Sequence, residues 1–239
     1  MKFENFKEIF SKEMINMSLK FNEDQFEKFY NYMNLLLEWN KKINLTAITI
    51  PEEIITKHFI DSLSIAKYMK EEYCLIDVGT GAGFPGIPLK IAFPKMKIVL
   101  LDSLNKRIIF LKEVINQLNL KGIECLHSRA EDAGKDKEYR EKFDYVTARA
   151  VANLNILIEY TVPFAKKNGK CIYMKSNKAE DEINNAKNAF KELKCKIDKT
   201  EKFKLANTDI QRTIIVVKKS EITSNKYPRQ AGIPIKRPI

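Results

Sequence analysis

LIDVGTGAGFPGIP, residues Leu75 to Pro88, decides how the chain is read. Leu75, Ile76 and Val78 make a short apolar run of the kind a buried parallel strand shows. Gly79, Gly81, Gly83 and Gly86 follow directly, four of the eight glycines in the chain. Glycines so spaced let the backbone take positive φ and let a ligand approach without meeting a Cβ. Pro85 suits the first helical position, where a missing N–H is not felt. The stretch therefore predicts strand, tight turn and helix start: the ligand crevice at the carboxyl end of a strand in an open α/β sheet. A purely structural glycine turn is the plainer alternative, and the flanking pattern disfavours it.

The ligand is the next question. Gly81, Gly83 and Gly86 satisfy G-x-G-x-x-G, the dinucleotide fingerprint, which is a weak signal alone. Asp77, at the mouth of the loop, would repel a pyrophosphate but suits a cation. S-adenosylmethionine carries a sulfonium and an α-ammonium and no phosphate. The run D-x-G-x-G-x-G from Asp77 to Gly83, with an acidic residue further on, resembles the first motif of the class I methyltransferases. That acidic residue is Asp102, 23 positions after Gly79 and at the end of a second expected strand, Lys97–Leu101. This is close to the interval at which a carboxylate meets ribose hydroxyls, and the same aspartate can cap the next helix. Ser103 stands beside it as a further cofactor candidate. A third strand is expected at Ile123–His127 and leads into SRAED. There Ala130 offers a small surface and an N–H to the adenine end, and Glu131 offers a carboxylate, although Glu131 also reads as an ordinary helix-start acid.

A fourth strand is expected at Phe143–Thr147, followed by ARAVANL, where methyltransferases keep target-specific chemistry. The [DN]-P-P-[YF] motif of exocyclic-amine methylation is absent, and no cysteine lies nearby to serve carbon-5 chemistry. What remains is a target that is already nucleophilic, such as guanine nitrogen-7, for which catalysis reduces to positioning and in-line alignment. Arg149 is the one catalytic candidate; it could hold phosphate, a guanine oxygen or the cofactor carboxylate, or be a buried structural arginine.

Working outward, Phe3, Phe6, Phe10, Met14 and Met17 repeat at helical spacing. Asn22 with Gln25 reads as a capping box opening a helix to about Lys42, with Phe26, Phe29, Tyr30, Met33, Leu36, Leu37 and Trp39 inward. Asn44, Thr46 and Pro51 interrupt the pattern before a further helical stretch at 52–70. Its segment KHFIDSL places His58, Asp61 and Ser62 just ahead of the first strand, and His58 is a candidate for substrate contact. Further elements are a helix at Leu104–Leu118 with Lys106 and Arg107 exposed near its start, a helix at Leu154–Phe164, and a strand at Gly169–Lys175. A charged helix at 178–193 and a closing pair of strands, Cys195–Leu205 and Thr213–Val217, complete the reading. The expectation is a Rossmann-like α/β fold with a seven-stranded, mostly parallel sheet. Residues 1–70 form a helical N-terminal extension, 71–219 the sheet domain and 220–239 a basic tail.

Composition bounds the partners. The 239 residues are 44% hydrophobic, enough for a sizeable core. No apolar run is long enough for a membrane span, and the N-terminus lacks the pattern of a signal peptide. Cys74, Cys125, Cys171 and Cys195 lie far apart without C-x-x-C, three of them in or beside expected strands. A metal site or disulfide framework is not expected, and a reducing cytoplasm fits. The net charge of +11 and pI near 9.3 favour an anionic partner. From Lys218 onward six Lys and Arg face one Glu, with three prolines and Tyr227 among them. A basic, extended segment of that kind suits a loop or single-stranded RNA backbone, with Arg229, Lys236 and Arg237 as candidate contacts beside Lys106 and Arg107.

Taken together, KHFIDSL, LIDVGTGAGFPGIPLKI, LLDSLNKRIIFL, SRAED, TARAVANL and YPRQAGIPIKRP resemble the RsmG family, also called GidB. The resemblance implies an S-adenosylmethionine-dependent enzyme of the bacterial cytoplasm that methylates nitrogen-7 of one guanine in 16S rRNA. Its partner would be the small ribosomal subunit or an assembly precursor, with neither membrane nor metal. By motif, it carries cofactor contacts to Gly79, Phe84, Asp102, Ala130, Glu131 and Arg149. Two rivals stand beside it. A nicotinamide-dependent oxidoreductase is disfavoured by Asp77 and by the lack of a His/Lys or Tyr/Lys pair; a non-catalytic RNA-binding module is disfavoured by the intact glycine loop and Asp102.

Overall fold

The computed structural model describes residues 1–17, 19–205 and 207–239. Helix α1 (Phe3–Met14) buries Phe6, Phe10 and Met14. Helix α2 (Glu23–Ile43) opens on the expected capping box, with the Asn22 side chain accepting from the Gln25 N–H at 2.9 Å and Gln25 returning the bond to the Asn22 N–H. Its buried stripe is Phe29, Tyr32, Met33 and Leu36, an i, i+3, i+4, i+7 set. This corrects the expected inward face: Tyr30, Leu37 and Trp39 are half-buried flanks, whereas Tyr32 is fully enclosed.

The single helix expected over 52–70 is instead α3 (Pro51–Ile54), a π-helical turn (Ile55–Ile60), α4 (Asp61–Leu63) and a 3-10 turn (Ala66–Tyr68). Single-turn π segments are rare and concentrate at functional sites. This one carries His58.

Strands β1 (Cys74–Val78), β2 (Lys97–Asp102), β3 (Ile123–His127), β4 (Phe143–Arg149) and β5 (Ala165–Lys175) run parallel. Strand β7 (Gln211–Lys219) lies antiparallel between β5 and β6 (Cys195–Lys204), giving the order β3-β2-β1-β4-β5-β7-β6. The order reverses between β1 and β4, the switch point at whose carboxyl ends open α/β sheets bind ligands. All four cysteines lie in strands as free thiols, one more than expected. Burial pushes Cys125 up to about 11 and Cys171 up to about 12, so neither is a thiolate nucleophile at neutral pH.

Helix α5 (Gly86–Ala92) follows the glycine loop with Pro85 as its N-cap, one position earlier than expected. Gly86 holds the first helical position, and a Cβ there would come within 2.3 Å of Leu100, so only glycine fits. Helices α6 (Asn105–Gln117), α7 (Ala130–Ala133), α8 (Leu154–Thr161), α9 (Ala179–Asn185) and α10 (Lys187–Glu192) complete the crossovers, the last two dividing the one charged helix that was expected. One sheet face shares a core with α1, α2, α5 and α6, built on a cluster of aromatic edges that includes Phe10 and Phe29 at 4.7 Å between centroids. The opposite face is covered by α8, α9 and α10 and by Tyr227 of the tail.

The tail is not the extended arm the sequence suggested. Three prolines do not prevent a short helix, α11 (Ile233–Lys236), and the segment before it is moored on the sheet domain. Lys219 is fully enclosed and donates to Glu141 Oε1 at 2.7 Å. Lys226 pairs with Glu192, and Arg229 grips the Glu159 carboxylate. Among the described residues no helix is long and apolar enough to cross a membrane.

Candidate active site

The glycine loop is fastened from below. Asp77 is fully buried, and its Oδ2 accepts from the Thr80 hydroxyl at 2.6 Å and the Gly86 N–H at 2.9 Å. Its Oδ1 is enclosed without a partner. Burial pushes the Asp77 carboxyl up to about 6, against the lowering effect of those two donors. The sequence expectation of a carboxylate open at the loop mouth is therefore corrected: Asp77 staples the turn. Tyr32 fastens the loop from the other side, its hydroxyl donating to the Ala82 carbonyl. Gly83 (φ +100°) has no room for a Cβ, which would lie 2.7 Å from that hydroxyl.

Above the loop the crevice has two halves. The first, of 240 Å³, is bounded by Gly79, Asp102, Ser103, Ala130 and Glu131, together with Tyr160, Gly232 and Ile235. Five of the expected cofactor residues thus lie around one cavity. Asp102 Oδ2 accepts from the Gly81 N–H at 2.9 Å and from Arg107 at 3.2 Å, and Oδ1 accepts from the Leu104 N–H at 2.9 Å. A carboxylate has about four acceptor sites, so one remains for a ligand hydroxyl. Burial and the Glu131 charge push the Tyr160 hydroxyl up to about 12. Gly81 (φ +63°) has nothing within 4 Å of where a Cβ would stand.

The second half, of 590 Å³, extends from Val151, which borders both, to Lys57, His58, Asp61, Arg149, Lys175 and Arg212. Arg149 ends β4 and reaches back to the π turn. It donates to Asp61 Oδ2, to the Lys57 carbonyl and to His58 Nδ1, each at 3.2 Å. Arg212 Nε donates to the other oxygen of Asp61 at 3.0 Å. Asp61, 2% exposed, is thus clamped between two guanidinium groups. Because Nδ1 of His58 accepts from Arg149, its proton resides on Nε2, which donates to the Thr46 hydroxyl at 2.8 Å. Burial, reinforced by the Arg149 charge, depresses His58 to about 3. Its ring stacks on Phe84 at 4.4 Å, and the Arg149 guanidinium lies 4.9 Å from the Phe84 centroid.

Several expected assignments change in consequence. Phe84 is 5% exposed and forms the floor under His58 and Arg149. His58 is a neutral, nearly enclosed wall of the crevice. Arg107 donates to Asp102 and Arg229 to Glu159, so each is anchored by a carboxylate. Lys106, Lys236 and Arg237 are exposed. Sequence reasoning missed Arg212, Lys175, Val151 and Tyr160. Arg212 sits 151 positions from the aspartate it pairs with, and no local pattern links the two.

The family model GidB, described as rRNA small subunit methyltransferase G, matches residues 25–215. The chain belongs to this family. A relative from Thermoanaerobacter sp. (strain X514), named ribosomal RNA small subunit methyltransferase G, is 54% identical over 89% of this chain and 90% of its own length. One of the same name from Lactobacillus johnsonii is 47% identical over 97% of this chain and 99% of its own. Among solved structures, a SAM-dependent methyltransferase from Aquifex aeolicus aligns with TM-score 0.54 and 17% identity over 76% of this chain and 97% of its own. TYW2 of M. jannaschii in complex with AdoMet aligns with TM-score 0.53 and 18% identity over 66% and 73%. These two share the class I methyltransferase fold.

The residues present fit S-adenosylmethionine. The smaller half is bordered by two carboxylates, Asp102 and Glu131, with Arg129 as the one cation, a poor setting for a pyrophosphate and a good one for ribose hydroxyls and an adenine amine. The open face of Gly81 leaves the backbone approachable. Among the described residues no group of three or more His, Cys, Asp or Glu could hold a metal ion.

Proposed function

We propose that this methyltransferase transfers the methyl group of S-adenosylmethionine directly to nitrogen-7 of one guanine in 16S rRNA. The guanine lone pair attacks the methyl carbon in line with the departing sulfur. The carbon–sulfur bond breaks, its electron pair stays on sulfur, and the guanine keeps the positive charge. No proton moves during the transfer. The observation that carries this reading is the state of the acidic and basic side chains around the larger half of the crevice. Both oxygens of Asp61 are occupied by Arg149 and Arg212, and Glu182 Oε2 is paired with Lys175 at 2.7 Å. His58 has both ring nitrogens engaged. Each acidic or basic side chain bordering this half already holds a partner, and among the described residues Glu182 Oε1 is the one carboxylate oxygen there left without one. That suits an acceptor with a ready lone pair and no proton to lose, and disfavours an exocyclic amine.

The roles of the chain's own residues follow. Asp102 receives the ribose, Ala130 and Glu131 face the adenine end, and Gly79 and Gly81 leave backbone close to the cofactor. Arg149 keeps two N–H groups beyond its three bonds, and with Lys175 and Arg212 it offers donors to guanine oxygen or phosphate. The exposed Lys106, Lys236 and Arg237 are the remaining candidates for the rRNA backbone. The acceptor would be the small ribosomal subunit or an assembly precursor, in a reducing cytoplasm. The test is methyl transfer from labelled S-adenosylmethionine to small-subunit rRNA lacking this modification, followed by borohydride reduction and aniline cleavage. A single cleavage at a guanine is expected; label without cleavage would refute nitrogen-7 as the acceptor atom.

A further inference from the structure

The tail reaches the site. Three moorings lead up to it. Arg140 Nη1 donates to the carbonyls of Gly134 and Tyr227 at 2.9 and 2.8 Å, and its Nη2 to that of Thr223 at 2.7 Å. Glu141 accepts from the Thr223 N–H at 2.8 Å and from Lys219. Glu159, fully buried on α8, accepts from Arg229 Nε at 2.9 Å, from Nη2 at 2.6 Å and from its backbone N–H at 2.8 Å. A fork of this kind fixes orientation as well as position. Glu159 directly precedes Tyr160, which borders the smaller half of the crevice. Beyond the fork the chain turns at Gly232 (φ +84°), whose N–H donates to Glu131 Oε1 at 3.1 Å, and Ile235 closes the outer wall of that half.

We propose that residues 230–236 are a working wall of the cofactor site, with the Gly232 N–H orienting the Glu131 carboxylate and Arg229 acting as a positioning residue through Glu159. The inference rests on the cofactor reading above. It gives the tail a role beside rRNA contact, since its most strongly placed cation, Arg229, is turned inward. The strap is separate in sequence from the glycine loop, yet it shares a cavity with Gly79 and Asp102. Cofactor binding and strap docking are then linked, each favouring the other by the same factor.

The test uses the full chain and a form ending at Ala231, which keeps all three moorings. Dissociation constants for S-adenosylmethionine are measured by calorimetry, and steady-state constants for both substrates by label transfer. The shortened form is expected to bind the cofactor at least tenfold more weakly with no rRNA present, whatever the loss of Lys236 and Arg237 does to the KM for rRNA. Arg229→Lys, which keeps charge but not the fork, is expected to fall between the two forms. An unchanged cofactor constant, or a rise confined to the KM for rRNA, would overturn the inference. Should the shortened form fail to fold, amide exchange on the full chain decides: exchange at Gly232 is expected to slow at least tenfold on saturation with S-adenosylmethionine, and no slowing there overturns it. If the full chain binds no cofactor at all, it is the functional reading that fails, not the role of the strap alone.

Discussion

The two halves of the crevice that meet at Val151 are made in different ways. The cofactor half is largely backbone: two left-handed glycines, N–H groups and two carboxylates that end β2 or open α7, drawn from 75–131 and completed by Val151, Tyr160 and the Gly232 and Ile235 wall. The acceptor half is side chains, with Asp61 joined to Arg149 across 88 positions and to Arg212 across 151. A backbone site is set by local sequence, because a turn that needs positive φ needs glycine wherever it stands. A side-chain site is set by which distant elements the topology brings together. The first tolerates changes that spare the turn; the second fails when one charge is lost.

The largest effect should come from the clamp. Asp61→Ala leaves two half-buried guanidinium groups without the enclosed carboxylate between them. This costs ~3 kcal/mol of stability in denaturant titration, the low end for breaking a buried pair because Arg212 keeps contact with water. A loss under about 1 kcal/mol would mean that the arginines find other partners and the half is less rigid than its geometry.

The next concerns pH, and it opposes the two halves directly. The folded pKa of Asp77, about 6, lies above its ordinary 3.8. Its contribution to stability is therefore fully present below about 4 and is lost as pH rises through 6, ~3 kcal/mol in all. The folded pKa of His58, about 3, lies below its ordinary 6.5. Its contribution is present above 6.5 and is lost as pH falls toward 3. Between about 4 and 6 the two slopes cancel, each ~1.4 kcal/mol per pH unit. Relative to the unaltered protein, Asp77→Asn should become steadily more stable across that window, and His58→Gln steadily less. Parallel curves for all three proteins would remove both assignments.

Cofactor affinity sharpens the contrast. Asp102→Asn weakens charge-assisted hydrogen bonds of ~1.5–3 kcal/mol each, so S-adenosylmethionine should bind about 10–100-fold more weakly while the fold persists. Smallest is Tyr32→Phe, which removes only the hydroxyl that donates to Ala82. A loss of about 1 kcal/mol is expected, a Tm lower by about 2–4 °C for a chain of this size. A larger drop would show the glycine loop to depend on α2 more than on Asp77.

What the sequence conveyed follows the same division. The strand ahead of Gly79, the capping box at Asn22, the acid at Asp102 and the seven strands were legible because each is written in neighbouring residues. The face of α2 was misjudged at Tyr32, since tyrosines at 30 and 32 look alike until the loop that receives one hydroxyl is in place. The π turn left no signal in KHFIDSL, whose residues suit a regular helix equally well. The tail misled for a further reason: Arg229 counts as a free positive charge until Glu159, 70 positions away, appears beside it. Charge counted along a chain is a prior on partners and says nothing of pairing.

The division of labour across Val151 is tested most directly by a pair of variants in one steady-state assay with labelled S-adenosylmethionine and small-subunit rRNA. Asp102→Asn is predicted to raise the KM for the cofactor and leave that for rRNA within twofold. Lys175→Gln, across the crevice, is predicted to raise the KM for rRNA or lower kcat, with cofactor binding unchanged. Both variants shifting the same constant would contradict the account.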